Sequence, residues 1–220
     1  MNLLIFTVYL ICVTYVLYNA FLFVDSMVTV DADKEELSRQ LEEDNLKDFI
    51  DIKFKFKSGY HLDQIDKELE TIPVEVANKS QQHKLELLWD DSSISNLKKK
   101  SGRLIRITPG MSETPQKQAT STILPGQTIE AKLSDEKLVS PLHSKNISVR
   151  KTSTLDSERL LKIAALTASV FHIQLVFKIA SQKTNPKDGK QQLSCVLRCP
   201  LSVKRVHWKK AADLLLRPNK

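Results

Sequence analysis

The hydrophobic pattern of the chain begins with one long apolar run. Residues 3–24 contain 22 consecutive uncharged and mostly apolar side chains. At about 1.5 Å per residue such a helix is roughly 30 Å long, which matches the hydrocarbon core of a bilayer. No Lys or Arg precedes the run, and it is longer than the apolar region of a usual signal peptide. The pattern predicts a retained transmembrane helix, with a cleaved signal peptide as the alternative.

The segment after this run is strongly acidic. Residues 25–50 hold nine acidic side chains against three basic ones. Leu37, Leu41 and Leu46 form a thin apolar stripe, and Asp33 stands where a helix N-cap is expected. We therefore predict a short acidic helix that serves as a solvated stalk between the membrane and the rest of the chain.

From residue 49 onward the period changes to two. Ile52, Phe54 and Phe56 alternate with lysines, which predicts a half-buried strand. Polar and Pro-Gly turn signals, among them residues 90–93 and Pro125-Gly126, separate most of the later extended segments. These further candidates are residues 72–77, 84–89, 103–108, 122–131, 147–151, 170–179 and 192–205. Many short strands joined by polar turns are typical of a β-sandwich.

These patterns divide the chain into four parts. We predict a transmembrane anchor over residues 1–25, an acidic helical linker over 26–48, a β-sandwich domain over 49–208 and a basic C-terminal helix or tail over 209–220. Within the sandwich, residues 156–168 are rich in helix formers and predict a helical or irregular crossing.

Several motifs in the β region carry a resemblance. They are HKLELLWDDSSI at residues 83–94, GRLIRITPG at 102–110, QATSTI at 118–123, PGQ at 125–127, LSCVLRC at 193–199 and KRVHW at 204–208. This set resembles bacterial envelope-type immunoglobulin-like domains and uncharacterised cyanobacterial-type membrane-anchored proteins. The resemblance implies a tethered immunoglobulin-like sandwich with no assigned chemistry and no catalytic residues. With the patterns above, the predicted fold is mainly β: an N-terminal transmembrane helix, a short acidic helical stalk and an immunoglobulin-like antiparallel β-sandwich with minor helical additions.

Charge adds one candidate contact surface. The whole chain carries a formal charge of +7, and residues 183–220 hold ten basic side chains against two Asp. The densest cluster, Lys204, Arg205, Trp208, Lys209 and Lys210, combines cations with an amphipathic aromatic ring, which suits anionic lipid headgroups or an acidic partner. The alternative is a solvated face with Trp208 packed as a lid. Nucleic acid is the less expected ligand because only a basic patch supports it.

The sequence shows no familiar catalytic or cofactor motif. Its five histidines lack zinc-site spacing, and there is no nucleophile elbow, Walker loop or metalloprotease helix. Cys195 and Cys199 would lie roughly 13 Å apart on a strand, too far for a disulfide, so we expect buried thiols. We predict a non-enzymatic protein without a cofactor. The competing hypothesis is an enzyme with a site assembled from residues 90–93 and His143 or His207.

Together these inferences predict a non-enzymatic, single-pass membrane-anchored interaction or assembly module. Residues 3–24 would contact membrane lipids, and the β domain would contact another membrane protein. Lys34 and Arg39 follow the apolar run and no basic residue precedes it, so the positive-inside rule favours a cytoplasmic domain. The alternatives are the membrane-tethered enzyme and a basic domain that binds anionic lipid or nucleic acid.

Overall fold

The structure is a computed structural model that describes residues 2–61, 71–95, 100–109, 111, 115–136, 139–140, 148–149, 170–181, 192–207 and 210–211. Its helices are α1 (Asn2–Asp25) and α2 (Lys34–Glu43). The strands are β1 (Met27–Ala32), β2 (Ile50–Phe54), β3 (Tyr60–His61), β4 (Ile72–Asn78), β5 (His83–Ser95), β6 (Ser101–Ile107), β7 (Ser121–Ile123), β8 (Thr128–Asp135), β9 (Val139–Ser140), β10 (Ser148–Val149), β11 (Val170–Ser181) and β12 (Gln192–Arg205). The fold is mainly β, as predicted.

The N-terminal helix α1 matches the predicted apolar segment. Its residues Leu3–Asp25 are long and apolar enough to cross a membrane, and none of this span is buried inside the protein. Ser26 is the single residue between α1 and β1. The helix is therefore joined to the β region without a linker.

Among the described residues, ten strands form one curled antiparallel sheet. The order is β2-β4-β8-β6-β5-β11-β12-β1-β3, and β7 pairs with the first half of β5. The longest ladder joins β11 to β12 over eleven residue pairs, from Val170–Ser202 to Ala180–Gln192. β6 turns the sheet, because its first residues pair with β5 and its later ones with β8. The sheet curls around one side, so the inward faces of its two ends share a core.

One hydrophobic core fills the space inside this curl. It includes the fully buried rings of Trp89, Phe171 and Phe177, which come from the central strands β5 and β11. The alternation predicted from residue 52 is observed in β2, where Ile52 is buried and Lys53 exposed, and buried and partly exposed residues also alternate along β4 and β5. The period of two in the sequence therefore identifies the inward face.

The acidic segment does form a helix, but a separate stalk is not confirmed. Asp33 caps α2 as predicted, with its side chain accepting the Glu36 N–H at 3.1 Å. Leu37 and Leu41 are buried in the core, and the Gln40 side chain accepts the Arg198 N–H of β12 at 2.9 Å. Residues 27–32, expected in the linker, are a strand of the sheet. This segment is therefore part of the folded unit, held there by its apolar side chains.

The turn predicted at residues 90–93 is wrong. β5 continues through these residues, and they form a large bulge opposite β11. Ser93 faces Gln174 and Leu88 faces Val176, so four residues of β5 stand opposite one of β11. The Ser92 hydroxyl donates to the Leu88 carbonyl at 2.7 Å and accepts the Val176 N–H at 3.2 Å. The polar side chain thus replaces ladder bonds that the bulge interrupts.

Two other predicted turns are confirmed. Gly126 has φ of 71°, and the Gln127 N–H donates to the Leu124 carbonyl at 3.0 Å, as in a type II turn with Pro125 before the glycine. Between β4 and β5, the Asn78 side chain accepts the Ser80 N–H at 3.0 Å. Glycine adopts a positive φ without steric cost, and an Asn side chain can accept the N–H of the residue two positions later, so both residue types favour turns as predicted.

The described strands form an open sheet, and residues from both of its edges line the same groove. The Lys55 N–H donates to the Pro73 carbonyl, so the odd-numbered residues of β2 form the hydrogen bonds to β4. The backbone N–H and C=O groups of Ile52 and Phe54 therefore point away from β4. In the same way, the Asp33 N–H donates to the Pro200 carbonyl of β12, so the odd-numbered residues of β1 form the hydrogen bonds to β12. The backbone groups of the even-numbered residues of β1 point away from β12. Among the described strands only β3 pairs with that side, at Met27 and Val28.

Some predicted features lie outside the described residues. These are the helical crossing at 156–168 and most of the C-terminal segment, of which only residues 210–211 are described, in a helical conformation. The immunoglobulin-like sandwich is not confirmed, since the observed architecture is one continuous curled sheet.

We expect Ser92→Ala to lower the free energy of unfolding by about 1–3 kcal/mol, because it leaves the buried Val176 N–H and Leu88 carbonyl without their partner. Urea denaturation of the full-length protein in mild detergent, followed by tryptophan fluorescence, measures this change. The neighbouring Ser93→Ala is the matched control, because Ser93 makes only a 3.5 Å contact to Gln174. Equal losses in the two variants would contradict the role given to Ser92.

Candidate functional site

The junction between α1 and the sheet contains a small apolar cluster. Met27, Val206 and Ala211 are buried together, and Val24 of the helix packs against them. The Val206 N–H also donates to the Met27 carbonyl at 3.0 Å. The last turn of the apolar helix is thus packed on the end of β12, not merely connected to it.

Polar and aromatic contacts reinforce this junction. The rings of Phe23 and His61 are 4.1 Å apart between centroids, and the Ser26 hydroxyl lies 3.3 Å from His61 Nδ1. Arg205 of β12 donates to the Asp25 carboxylate at 3.0 Å. Because both partners of this ion pair are partly exposed, it adds little stability in water. Its effect is to fix the end of the helix beside a basic strand.

The structure places three of the five predicted contact residues at this end of the domain. Lys204 and Arg205 end β12, and Lys210 follows next to the buried Ala211. All three are exposed. Trp208 and Lys209 lie outside the described residues. A basic surface, defined here as Lys204, Arg205 and Lys210, therefore borders the end of α1.

A groove of about 540 Å³ runs between the two open edges of the sheet. One wall is β1 with α2, and the other is residues 51–58, the edge strand β2 and the residues after it. Its apolar lining consists of Val30, Ala32, Leu37, Leu41, Ile52, Phe54 and Phe56. The volume lies in the range of small-molecule sites, and the lining mixes apolar side chains with charges.

The rim of the groove is basic. Five exposed lysines line it against two aspartates: Lys34, Lys53, Lys55, Lys57 and Lys210, with Asp31 and Asp51. Lys53 and Lys55 form ion pairs within the protein. Lys53 lies 3.1 Å from Asp51, and Lys55 contacts Glu75 and Glu130. Hydrogen bonds to Glu130 and Glu75 raise the pKa of Lys55, which stays charged.

The motifs that carried the resemblance meet in one polar network. Arg103 of β6 donates to the Asp90 carboxylate at 2.5 Å and to Glu136 at 3.1 Å. Asp90 also accepts the Gln118 N–H at 3.0 Å. The hydrogen bond from Arg103 holds the pKa of Asp90 below its usual value, against the opposing effect of burial. Asp90 is therefore an ionised structural group that ties three segments together.

A second set of contacts continues this network into the core. The Trp89 indole N–H donates to the Ser121 hydroxyl at 2.8 Å, and the Arg106 guanidinium lies 5.6 Å from the Trp89 ring centroid. The Gln118 side chain bonds to the backbone of Leu104 and Arg106, at 2.7 and 2.8 Å. It thus occupies the edge of β6 as a neighbouring strand would. The arrangement stabilises the fold rather than exposing reactive groups.

Of the residues in the competing enzyme hypothesis, the structure describes residues 90–93 and His207. Asp90 and Ser92 are engaged in the network and the bulge, whereas His207 is exposed next to the α1 junction. His143 lies outside the described residues. In the part of the chain that the structure describes, no group of three or more His, Cys, Asp or Glu could hold a metal ion.

The two cysteines of β12 are buried free thiols, as predicted. Burial raises the pKa of Cys195 to about 11 and that of Cys199 to about 12. Both side chains face the core, where they stand opposite Phe177 and Ile173 of β11. At neutral pH they remain protonated, and a protonated thiol is a poor nucleophile.

Comparisons of the chain with protein-family models, with curated proteins and with solved structures found no match. The resemblance to cyanobacterial-type membrane-anchored proteins therefore stays a prediction.

Sequence reasoning missed the groove and the junction partners. The signal for the groove was present, because lysines between Ile52, Phe54 and Phe56 are typical of an exposed edge strand. The signal for β1 was hidden, since Met27–Ala32 lies between an apolar helix and an acidic one. Only the fold places His61 beside Phe23.

We expect Asp90→Asn to destabilise the protein by about 1.5–3 kcal/mol at pH 7, since it removes the ionised partner of Arg103. Because the pKa of Asp90 is lowered on folding, its contribution is complete above the ordinary carboxyl pKa. As pH falls below that value the unfolded chain binds the proton first, so the difference from wild type shrinks. Urea denaturation at pH 7 and at acidic pH measures both effects.

The exposed neighbour Asp91 provides the matched control. Asp91→Asn changes the same charge without touching Arg103, and we expect little change in stability. A loss in Asp90→Asn no larger than that of the control would contradict the structural role of this carboxylate.

Proposed function

We propose that this protein is a single-pass membrane-anchored interaction or assembly module that works without catalysis. The observation that carries the proposal is the junction. An apolar helix of membrane-spanning length ends directly on a folded β domain and packs against it through Val24, Met27 and Val206. With α1 in a bilayer, this end of the domain would stand at the membrane surface.

The basic surface supports the same proposal. Lys204, Arg205 and Lys210 border the end of α1, where anionic headgroups or an acidic partner would be found. Each lysine or arginine near an anionic surface contributes about 1 kcal/mol of attraction. Trp208 and Lys209 belong to the same cluster in the sequence and lie outside the described residues, and an amphipathic indole suits such an interface.

The mechanism we propose is tethering. A protein confined to a membrane meets other membrane proteins at a raised effective concentration, so a weak surface contact is enough for association. The direct connection between α1 and β1 would also limit the orientations of the domain. A limited set of orientations lowers the entropy lost when a partner binds.

The position of Lys34 and Arg39 after the apolar run favours a cytoplasmic domain by the positive-inside rule. Binding of anionic lipid at the basic surface is the second candidate function, supported by the placement of these cations beside α1. Nucleic acid binding has no support beyond positive charge.

We expect a defined membrane protein to co-purify with the full-length chain in mild detergent. Replacing two cations of the basic surface, Lys204→Glu with Lys210→Glu, should lower its recovery by roughly tenfold or more, because each reversed charge costs about 1 kcal/mol or more at an acidic interface. The matched control is Lys117→Glu with Lys132→Glu, two exposed lysines on other segments. Quantitative mass spectrometry of the eluates measures the recovery.

Alkaline carbonate extraction of the same membranes tests the anchor. Wild type and both double variants should remain in the membrane pellet, because α1 is unchanged. Release of the wild-type protein by carbonate would refute membrane anchoring, and a wild-type chain that elutes alone would refute stable assembly.

A further inference from the structure

We propose that the groove between the open sheet edges binds an acyl chain of one anionic phospholipid drawn from the bilayer, with the headgroup against the rim lysines. This inference rests on the membrane anchoring proposed above. The groove differs from the basic surface, since Lys204 and Arg205 do not line it, and Lys210 is the residue that the two surfaces share.

The walls of the groove suit an acyl chain. Its lining includes four residues buried in the core, Val30, Leu37, Leu41 and Ile52, together with the rings of Phe54 and Phe56. The two rings are stacked with centroids 5.9 Å apart, and both are only partly buried. Partly exposed rings at the mouth of an apolar groove leave surface that a ligand chain can cover, which is favourable in proportion to the area removed from water.

The charges of the rim suit an anionic headgroup. Lys34 projects from the first turn of α2, and Lys210 lies near the junction, so cations stand on both the helix side and the junction side. Lysine side chains can lay their methylene stems along an apolar surface while the ammonium group stays in water. A phospholipid offers both chemistries at once, with an apolar chain for the walls and a phosphate for the lysines.

The groove is also placed to receive a lipid from the membrane. Lys57 and Ser58 line it, and the Lys57 N–H donates to the Tyr60 hydroxyl at 2.9 Å. Tyr60 pairs with Val28 in the sheet, and the next residue, His61, contacts Phe23 of α1. One end of the groove therefore lies beside the end of the apolar helix, where lipid would be at hand.

An added β-strand from a partner is the rival occupant, since both walls are strand edges. The edge of β2 carries Lys53, followed by Lys55 and Lys57 beyond the strand end. Lysines on an edge are a device that discourages strand addition. A second copy pairing through the same edge would bring lysines against lysines. These charges favour a lipid over a strand.

A photoreactive phospholipid tests the proposal on the full-length protein in vesicles. Phosphatidylglycerol with a diazirine in one acyl chain is mixed into phosphatidylcholine, illuminated, and the labelled peptides are mapped by mass spectrometry. We expect label in α1 and in the groove segments at residues 29–41 and 51–58. Ser38→Trp places a large ring in the groove from an exposed position of α2 and should abolish the groove label but not the α1 label.

Matched variants separate the outcomes. Ser194→Trp, at an exposed serine of β12 outside the groove, should leave all labelling unchanged. Lys34→Gln with Lys210→Gln should lower groove labelling by the anionic lipid roughly thirtyfold, because each removed cation weakens the attraction to the headgroup. The same pair should have little effect on labelling by a phosphatidylcholine probe. Lys117→Gln with Lys132→Gln controls for total charge.

Three results would overturn the inference. Label in α1 with none in the groove segments would refute the lipid site while leaving the anchor intact. Equal groove labelling by the two probes would refute the anionic preference, and a cross-link from the groove to an extended segment of another protein would replace lipid by strand addition. Absence of label from α1 itself would refute the membrane anchor and this inference with it.

Discussion

The architecture of the end of the domain next to α1 depends on the passage from α1 to β1 within a single residue, Ser26. A chain that turns so sharply cannot separate the helix from the sheet, so the last helical turn must pack on whatever lies next to β1. What lies there is β12, with Val206 against Val24 and Arg205 against Asp25. The basic end of β12 is thereby held beside the apolar helix. The proposed tethered module follows from this constraint.

A second consequence concerns the sheet. β1 lies at one end of the sheet, where only the two-residue strand β3 pairs beyond it, and β2 is the strand at the other end. Among the described strands these two edges do not pair, and α2 lines the gap between them. The open groove is what remains. Its apolar walls belong to the same inward faces that form the core. Its lysines lie on α2, on β2 and the residues after it, and at residue 210, so the groove combines both chemistries.

The strands could be predicted from the sequence because buried and exposed residues alternate along a strand, and this alternation involves only neighbouring residues. Ile72–Asn78, Val170–Ser181 and Gln192–Arg205 follow the predicted segments closely. The bulge at residues 90–93 was not predictable, since Asp and Ser favour turns in isolation and only the partner β11 decides otherwise. The basic cluster was visible as composition, but its place beside α1 depends on a contact between residues 25 and 205. The groove depends on edge pairing, which is likewise non-local.

The central claim is that the junction holds the basic end of β12 at the bilayer surface. Spin labels at Lys204→Cys and Ser194→Cys, ten residues apart on one strand and so roughly 33 Å apart, would be compared by power saturation in nanodiscs. Cys12→Ser is included because that thiol is the exposed one. The account predicts a label at 204 in the headgroup region and a label at 194 in water. Equal, fully aqueous accessibility at both positions would contradict it.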